Sequence, residues 1–141
     1  MTIQKATQEH LDKVYNLICI LENKKLDEKE FAQMYLKNLQ DDSIHYYVAT
    51  HDDDVIGFAS LHIQNLLHHC GKICEVQELI VSEAYQGAGI GGLLLTHMKK
   101  IATANDCMVL EVSCNRARER SHKFYEKEGL GRSHYKFTFD L

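Results

Sequence analysis

The chain contains no proline. With no residue to lock φ, glycine and Asp/Asn clusters must punctuate its elements. No stretch approaches the ~18 consecutive apolar residues of a membrane span, so no membrane partner is expected. There is no basic excess either: 16 Lys and Arg stand against 20 Asp and Glu, a net charge of −4. That argues against a dedicated binder of nucleic acid or anionic membrane. Internal repeats and low-complexity linkers are absent. The opening Met1-Thr2-Ile3-Gln4-Lys5 lacks the apolar run of a secretory signal, so the expected compartment is the cytoplasm. Five cysteines are an odd number without framework spacing, which favours reduced thiols. Cys70-x-x-x-Cys74 stands alone and reads as two thiols near a hairpin rather than a zinc site.

What is present amounts to one domain, residues 1–141. A chain of 141 residues, 45% hydrophobic and 26% charged, is long enough to bury a continuous core. Residues 2–6 suit a short strand, and Thr7 is a candidate helix N-cap. Leu11, Val14, Tyr15, Ile18 and Leu21 recur at helical spacing, as do Phe31, Met34, Tyr35 and Leu39 in a second helix starting near Asp27. Ile44–Thr50, Val55–Leu67 and Ile73–Val81 read as three antiparallel strands. Asp52-Asp53-Asp54 and Cys70-Gly71-Lys72 supply the turns between them. A glycine-rich loop from Ser82 to Gly92 then leads into a third amphipathic helix. Met108–Ser113 reads as a strand, Ala117–Glu128 as a helix closed by Gly129, and Ser133–Phe139 as a final strand. A strand–helix–strand crossover over residues 73–113 adds one parallel pairing. The expected fold is α/β: a mixed, mostly antiparallel sheet with flanking helices.

The chemical signal is Gln86-Gly87-Ala88-Gly89-Ile90-Gly91-Gly92. Glycines let a ligand approach the backbone closely, and the N–H groups at a helix start attract phosphate. A pyrophosphate-bearing ligand is therefore expected; a glycine turn without a ligand is the plain alternative. A Walker loop is excluded, because Gly92 and Leu93 stand where Lys-Ser or Lys-Thr is required. Gly87-x-Gly89-x-x-Gly92 has the dinucleotide spacing. However, Ser82–Gln86 separate it from its strand, Glu111 lies inside the next strand, and too little chain remains for a doubly wound sheet.

A third pattern fits. Gln86-Gly87-Ala88-Gly89-Ile90-Gly91, after a strand and opening a helix, resembles the acyl-CoA loop of the GNAT N-acetyltransferase superfamily, with glutamine where arginine is commoner. Glu78-Leu79-Ile80-Val81 resembles the family strand that splays around the pantetheine arm. Asn115 follows a strand as in the family, and Ser121–Leu130 resembles its closing helix with a Phe-Tyr pair. The element order matches over nearly the whole chain. More narrowly, Leu61–Gln64, Leu67-His68-His69, Glu75–Leu79 and Ser133–Thr138 resemble segments of bacterial aminoalkylphosphonate N-acetyltransferases. Residues 8–40, which choose the acceptor in such enzymes, match less clearly.

The resemblance implies attack of a primary amine on the thioester of acetyl-CoA. Such amines are mostly protonated at neutral pH, so a base, a stabilised carbonyl oxygen and an acid for the leaving thiolate are wanted. It assigns Tyr125 as the acid and Glu78 as the base, directly or through water. The Ile80 N–H would polarise the carbonyl, with Leu79 and Val81 binding pantetheine amides. Gln86, Gly87, Ala88, Gly89, Ile90, Gly91 and Gly92 would hold the pyrophosphate, with Asn115 and Ser121 completing the cofactor set. Each has a plainer alternative: a packing tyrosine for Tyr125, a surface carboxylate for Glu78, a strand-end cap for Asn115. The basic run Arg116, Arg118, Arg120 and Lys123 reads mainly as a solvated helix face. His69, paired with Glu78, is the first choice for the acceptor site and His134 the second. The resemblance also raises a divalent metal, although no spacing here reads as a metal site.

The expected partner is therefore a small-molecule amine, with an aminoalkylphosphonate first. An amino acid, polyamine or aminoglycoside is the alternative acceptor. A non-catalytic acyl-CoA sensor is the alternative of another class. The sequence leaves a homodimer open.

Overall fold

The computed structural model describes residues 1–141, which form two compact units, Met1–Glu111 and Val112–Leu141. The first begins with β1 (Thr2–Lys5), then α1 (Leu11–Glu22) and α2 (Glu28–Leu39). The α2 start is fixed by Asp27, whose side chain accepts the Glu30 N–H at 2.8 Å. Next come β2 (Ile44–His51), β3 (Asp54–Leu66) and β4 (Gly71–Val81), then α3 (Ile90–Ala104) and β5 (Val109–Val112). The five strands lie in sequence order in one mixed sheet, antiparallel except for the β4–β5 pair.

Side-chain alternation sorts the helices onto opposite faces. On one face Val48, Phe58 and Ile80 join Val14, Leu17 and Ile18 of α1 and Tyr35 of α2 in a buried core. On the other, a Cβ at Gly57 would meet Leu94 Cδ1 at 3.1 Å, so α3 lies against the sheet there with no room to spare. Ile90, Leu94, Leu95, Met98 and Ala102 are its buried residues.

Two irregularities mark the β4 side of the sheet. β5 is four residues long against eleven in β4, and it starts where the Met108 N–H bonds to Lys72 O. It therefore runs beside the first part of β4 and leaves the Leu79–Val81 end without a neighbour on that side. The second irregularity is a bulge. Ala59 faces Leu79 and Leu61 faces Val76, so Ser60 alone stands opposite both Gln77 and Glu78.

The second unit contains α4 (Glu119–Lys127), followed by Gly129 at φ +93°. Here one expectation fails. Ser133–Phe139 forms no strand, and every residue from Gly131 to Leu141 is exposed. Tyr135, Phe137 and Phe139 are 88%, 92% and 87% exposed. Their alternation has strand period, but a strand exists only where a ladder satisfies its backbone.

Candidate active site

A cavity of 520 Å³ opens in the first unit between the sheet and the α1–α2 pair. An aromatic series walls it. Phe31 stacks on Tyr35 and Tyr35 on Tyr46, whose ring meets Phe58 edge-on at 5.3 Å. Tyr15 extends the series, meeting Phe31 edge-on at 5.2 Å. Hydroxyls anchor these rings: Tyr35 donates to Thr7 O at 2.7 Å, and Tyr15 to Leu26 O. Burial pushes the Tyr35 and Tyr46 phenols above their ordinary values, so both stay protonated. Asn38 Nδ2 donates to the Tyr46 oxygen at 2.7 Å, leaving the Tyr46 proton free to donate elsewhere.

The polar lining is Glu22, Asn38, Tyr46, His62, Gln77 and Glu78, with no lysine or arginine among the lining residues. The bulge explains the adjacent pair. A regular strand would send Gln77 and Glu78 to opposite faces; the extra residue turns both toward the cavity. Ser60 sits against them with no exposed surface, the one polar side chain in the buried core. The Glu78 N–H donates to Ser60 Oγ at 3.0 Å, and the Ser60 hydroxyl donates in turn to Glu78 Oε1.

Beyond Glu78, Leu79, Ile80 and Val81 form the end of β4 that β5 does not reach. Gln86 ties the following loop back, its Nε2 donating to Val81 O at 3.1 Å. Gly87 and Gly89 both adopt φ +82°, a conformation that glycine takes without strain. Nothing lies within 4 Å of where their Cβ atoms would be, which leaves the loop open to a ligand. The first helical bond of α3 runs from Leu93 N to Gly89 O, so the N–H groups of Ile90, Gly91 and Gly92 point out of the helix start.

In the second unit Asn115 acts as a turn cap. Its Oδ1 accepts the Ala117 N–H at 2.9 Å, and its carbonyl bonds to the Arg118 N–H and to His122 Nε2. These bonds leave its Nδ2 available as a donor. Tyr125 meets Phe124 edge-on at 5.1 Å on α4, with Ser121 one turn earlier. Burial pushes its phenol above the ordinary value, the Cys114 thiol adds to this, and Arg118 opposes it. His134 is exposed, its Nδ1 2.7 Å from Ser133 Oγ.

The expected pairing of His69 with Glu78 is not formed. His69 lies at the β3–β4 turn, tilted against His68, with its Nε2 3.9 Å from Glu111 Oε1. The seven-residue step from Gly71 to Glu78 alone spans about 20 Å of extended chain. The histidine that lines the cavity is His62, opposite Glu75 in the ladder. Nowhere do three His, Cys, Asp or Glu side chains gather as a metal-binding set. No helix is long and apolar enough to cross a membrane.

This sheet, the β4 end that β5 does not reach and the glycine loop define an acetyltransferase fold. The acetyltransferase (GNAT) family model matches residues 9–131, and the chain belongs to that family. It is an N-acetyltransferase, and acetyl-CoA is its cosubstrate. Among named relatives it is 39% identical to the aminoalkylphosphonate N-acetyltransferase of Salmonella typhimurium, over 96% of this chain and 88% of that one. It is 30% identical to the glucosamine 6-phosphate N-acetyltransferase of Candida albicans, over 74% of this chain and 70% of that one. Its fold is shared with the crystal structure of a transcriptional regulator from Bacillus halodurans, at TM-score 0.92, 18% identity and 99% of each chain. It is likewise shared with a Trypanosoma brucei acetyltransferase, at TM-score 0.84, 24% identity and 99% of each chain.

Proposed function

We propose that the chain acetylates the primary amine of a small aminoalkylphosphonate. The observation that carries this reading is the 39% identity to the Salmonella enzyme over nearly the whole chain. The names of both relatives describe an acceptor with an amine and a phosphorus oxyanion. The cavity suits such a molecule. Glu22 and Glu78 offer carboxylates to the ammonium end, while Asn38, Tyr46, Gln77 and His62 offer donors to the anionic end.

In this reading Glu78, directly or through water, takes the proton from the acceptor ammonium. The freed nitrogen pair attacks the thioester carbon, with the carbonyl oxygen held by the Ile80 N–H. The C–N bond forms, the C–S bond breaks, Tyr125 gives its proton to the departing sulfur, and the second proton lost by the nitrogen restores the tyrosine, while Glu78 returns its own to solvent. Main-chain atoms of Leu79 and Val81 hold the pantetheine arm, with Asn115 and Ser121. The N–H groups of the loop from Gln86 to Gly92 hold the pyrophosphate.

The test is thiol release from acetyl-CoA across an amine panel. It holds aminomethylphosphonate, 1- and 2-aminoethylphosphonate, glucosamine 6-phosphate, amino acids, spermidine and an aminoglycoside, each with chelator and with added divalent metal. Turnover concentrated on the phosphonates is expected. Preference for glucosamine 6-phosphate or an amine without phosphorus would discard the phosphonate assignment and keep the acetyltransferase. Acetyl-CoA binding without turnover on any amine would favour a sensor module.

A further inference from the structure

We infer that Ser60 is the positioning residue of the general base, a role that rests on the proposed function of Glu78. A bulge costs its strand a ladder bond, so the N–H of the bulged residue needs another acceptor. Ser60 supplies that acceptor from directly across the ladder, taking the Glu78 N–H at 3.0 Å. The same hydroxyl then donates its proton to Glu78 Oε1. One side chain thus grips Glu78 at both main chain and carboxylate, which closes a ring around its side-chain torsions. With Oε1 engaged, Oε2 is left for the acceptor's proton.

Burial gives this arrangement its force. Ser60 has no exposed surface, so water cannot replace its hydroxyl without opening the β3–β4 ladder. The neighbouring core positions on β3, Val55, Ile56, Phe58, Ala59 and Leu61, are apolar. A serine there only satisfies a bulge if alanine serves catalysis equally well. It orients a base if alanine leaves the carboxylate free to turn away from the amine.

The experiment is a double-variant cycle on the full chain, using aminomethylphosphonate or the best amine of the panel. Ser60→Ala is expected to lower kcat about tenfold, a part of the 10²–10⁴ that a positioned base contributes. The KM for acetyl-CoA should stay unchanged. In a Glu78→Gln background the same substitution is expected to cost nothing further, because there is no base left to aim. Full kcat in Ser60→Ala, with Glu78→Gln impaired, would overturn the positioning role alone. Equal losses in both backgrounds would also overturn it, whatever the melting temperature does, and would make Ser60 a structural residue. Full turnover in Glu78→Gln would remove the base reading and this inference with it.

Discussion

Tyr125 is the residue on which the chemistry of thiolate departure is staked. Burial and the Cys114 thiol raise its phenol against the opposing pull of Arg118, so it is protonated in the neutral range and has a proton to give. Tyr125→Phe keeps the ring and its edge contact with Phe124 while removing the proton. Turnover is expected to fall by about 100-fold, as for loss of a general acid. Acetyl-CoA affinity, measured by calorimetry, should stay the same. Retained turnover would return Tyr125 to a packing role. Residue by residue, the site is only partly legible in the sequence. Glu78 and the glycines stand in motifs that can be read directly, and the structure sets them in a bulge and an open loop. Ser60, Asn38 and Tyr46 carry no such signal, whereas His62 lies in the Leu61–Gln64 segment that resembles the phosphonate enzymes. A serine among apolar strand residues reads as a minor interruption until a bulge brings it opposite Glu78. Strand period also predicts the wrong face for one of Gln77 and Glu78, since an inserted residue shifts the alternation. His69 misleads for a related reason: sequence closeness to the Glu78 strand says nothing of the length of β4 between them.

Helix α3 illustrates what an element adds. Its His97 ring lies 4.5 Å from that of Tyr47 on β2, and its Nε2 is buried without a hydrogen-bond partner. His45 on β2 has the same buried, unpartnered Nε2. Burial lowers both pKa values; Lys100 adds to this at His97 and Lys5 at His45, where Asp42 opposes it. The folded chain therefore prefers both rings neutral, while the unfolded chain protonates them near the ordinary value of about 6.5. This contribution is fully present above that pH and is lost as pH falls through the lowered folded values. Melting temperature should drop from neutral toward mildly acidic pH. In His97→Phe, which keeps a ring against Tyr47, the drop should shrink by a few degrees. An unchanged drop would place the acid sensitivity elsewhere. Element boundaries are the readable part of the fold, because Asp27 caps α2 and hydrophobic period marks each helix. The end of the chain is not readable in this way. Tyr135, Phe137 and Phe139 alternate as strand residues do, but period two does not reveal whether a neighbouring backbone accepts them.

For the whole molecule, the apolar surface is unevenly distributed. Met1–Glu111 contains every residue of the buried core, whereas Gly131–Leu141 is exposed along its length. Exposed chain outside a ladder is where proteases cut first. Limited trypsin digestion is expected to cleave after Lys136 several-fold faster than at any site within Met1–Glu111, as read by mass spectrometry. Protection of Lys136 would show that another molecule covers the three aromatics in solution. The aromatic wall of the cavity has an optical consequence as well. The chain has seven tyrosines and no tryptophan. No indole is present to drain or mask phenol emission. Tyr35 and Tyr46 line the cavity, stacked on each other and hydrogen-bonded at their hydroxyls. Whatever enters that space changes the polarity around chromophores the chain already carries. Tyrosine fluorescence is thus a built-in gauge of its occupancy, with no label to attach.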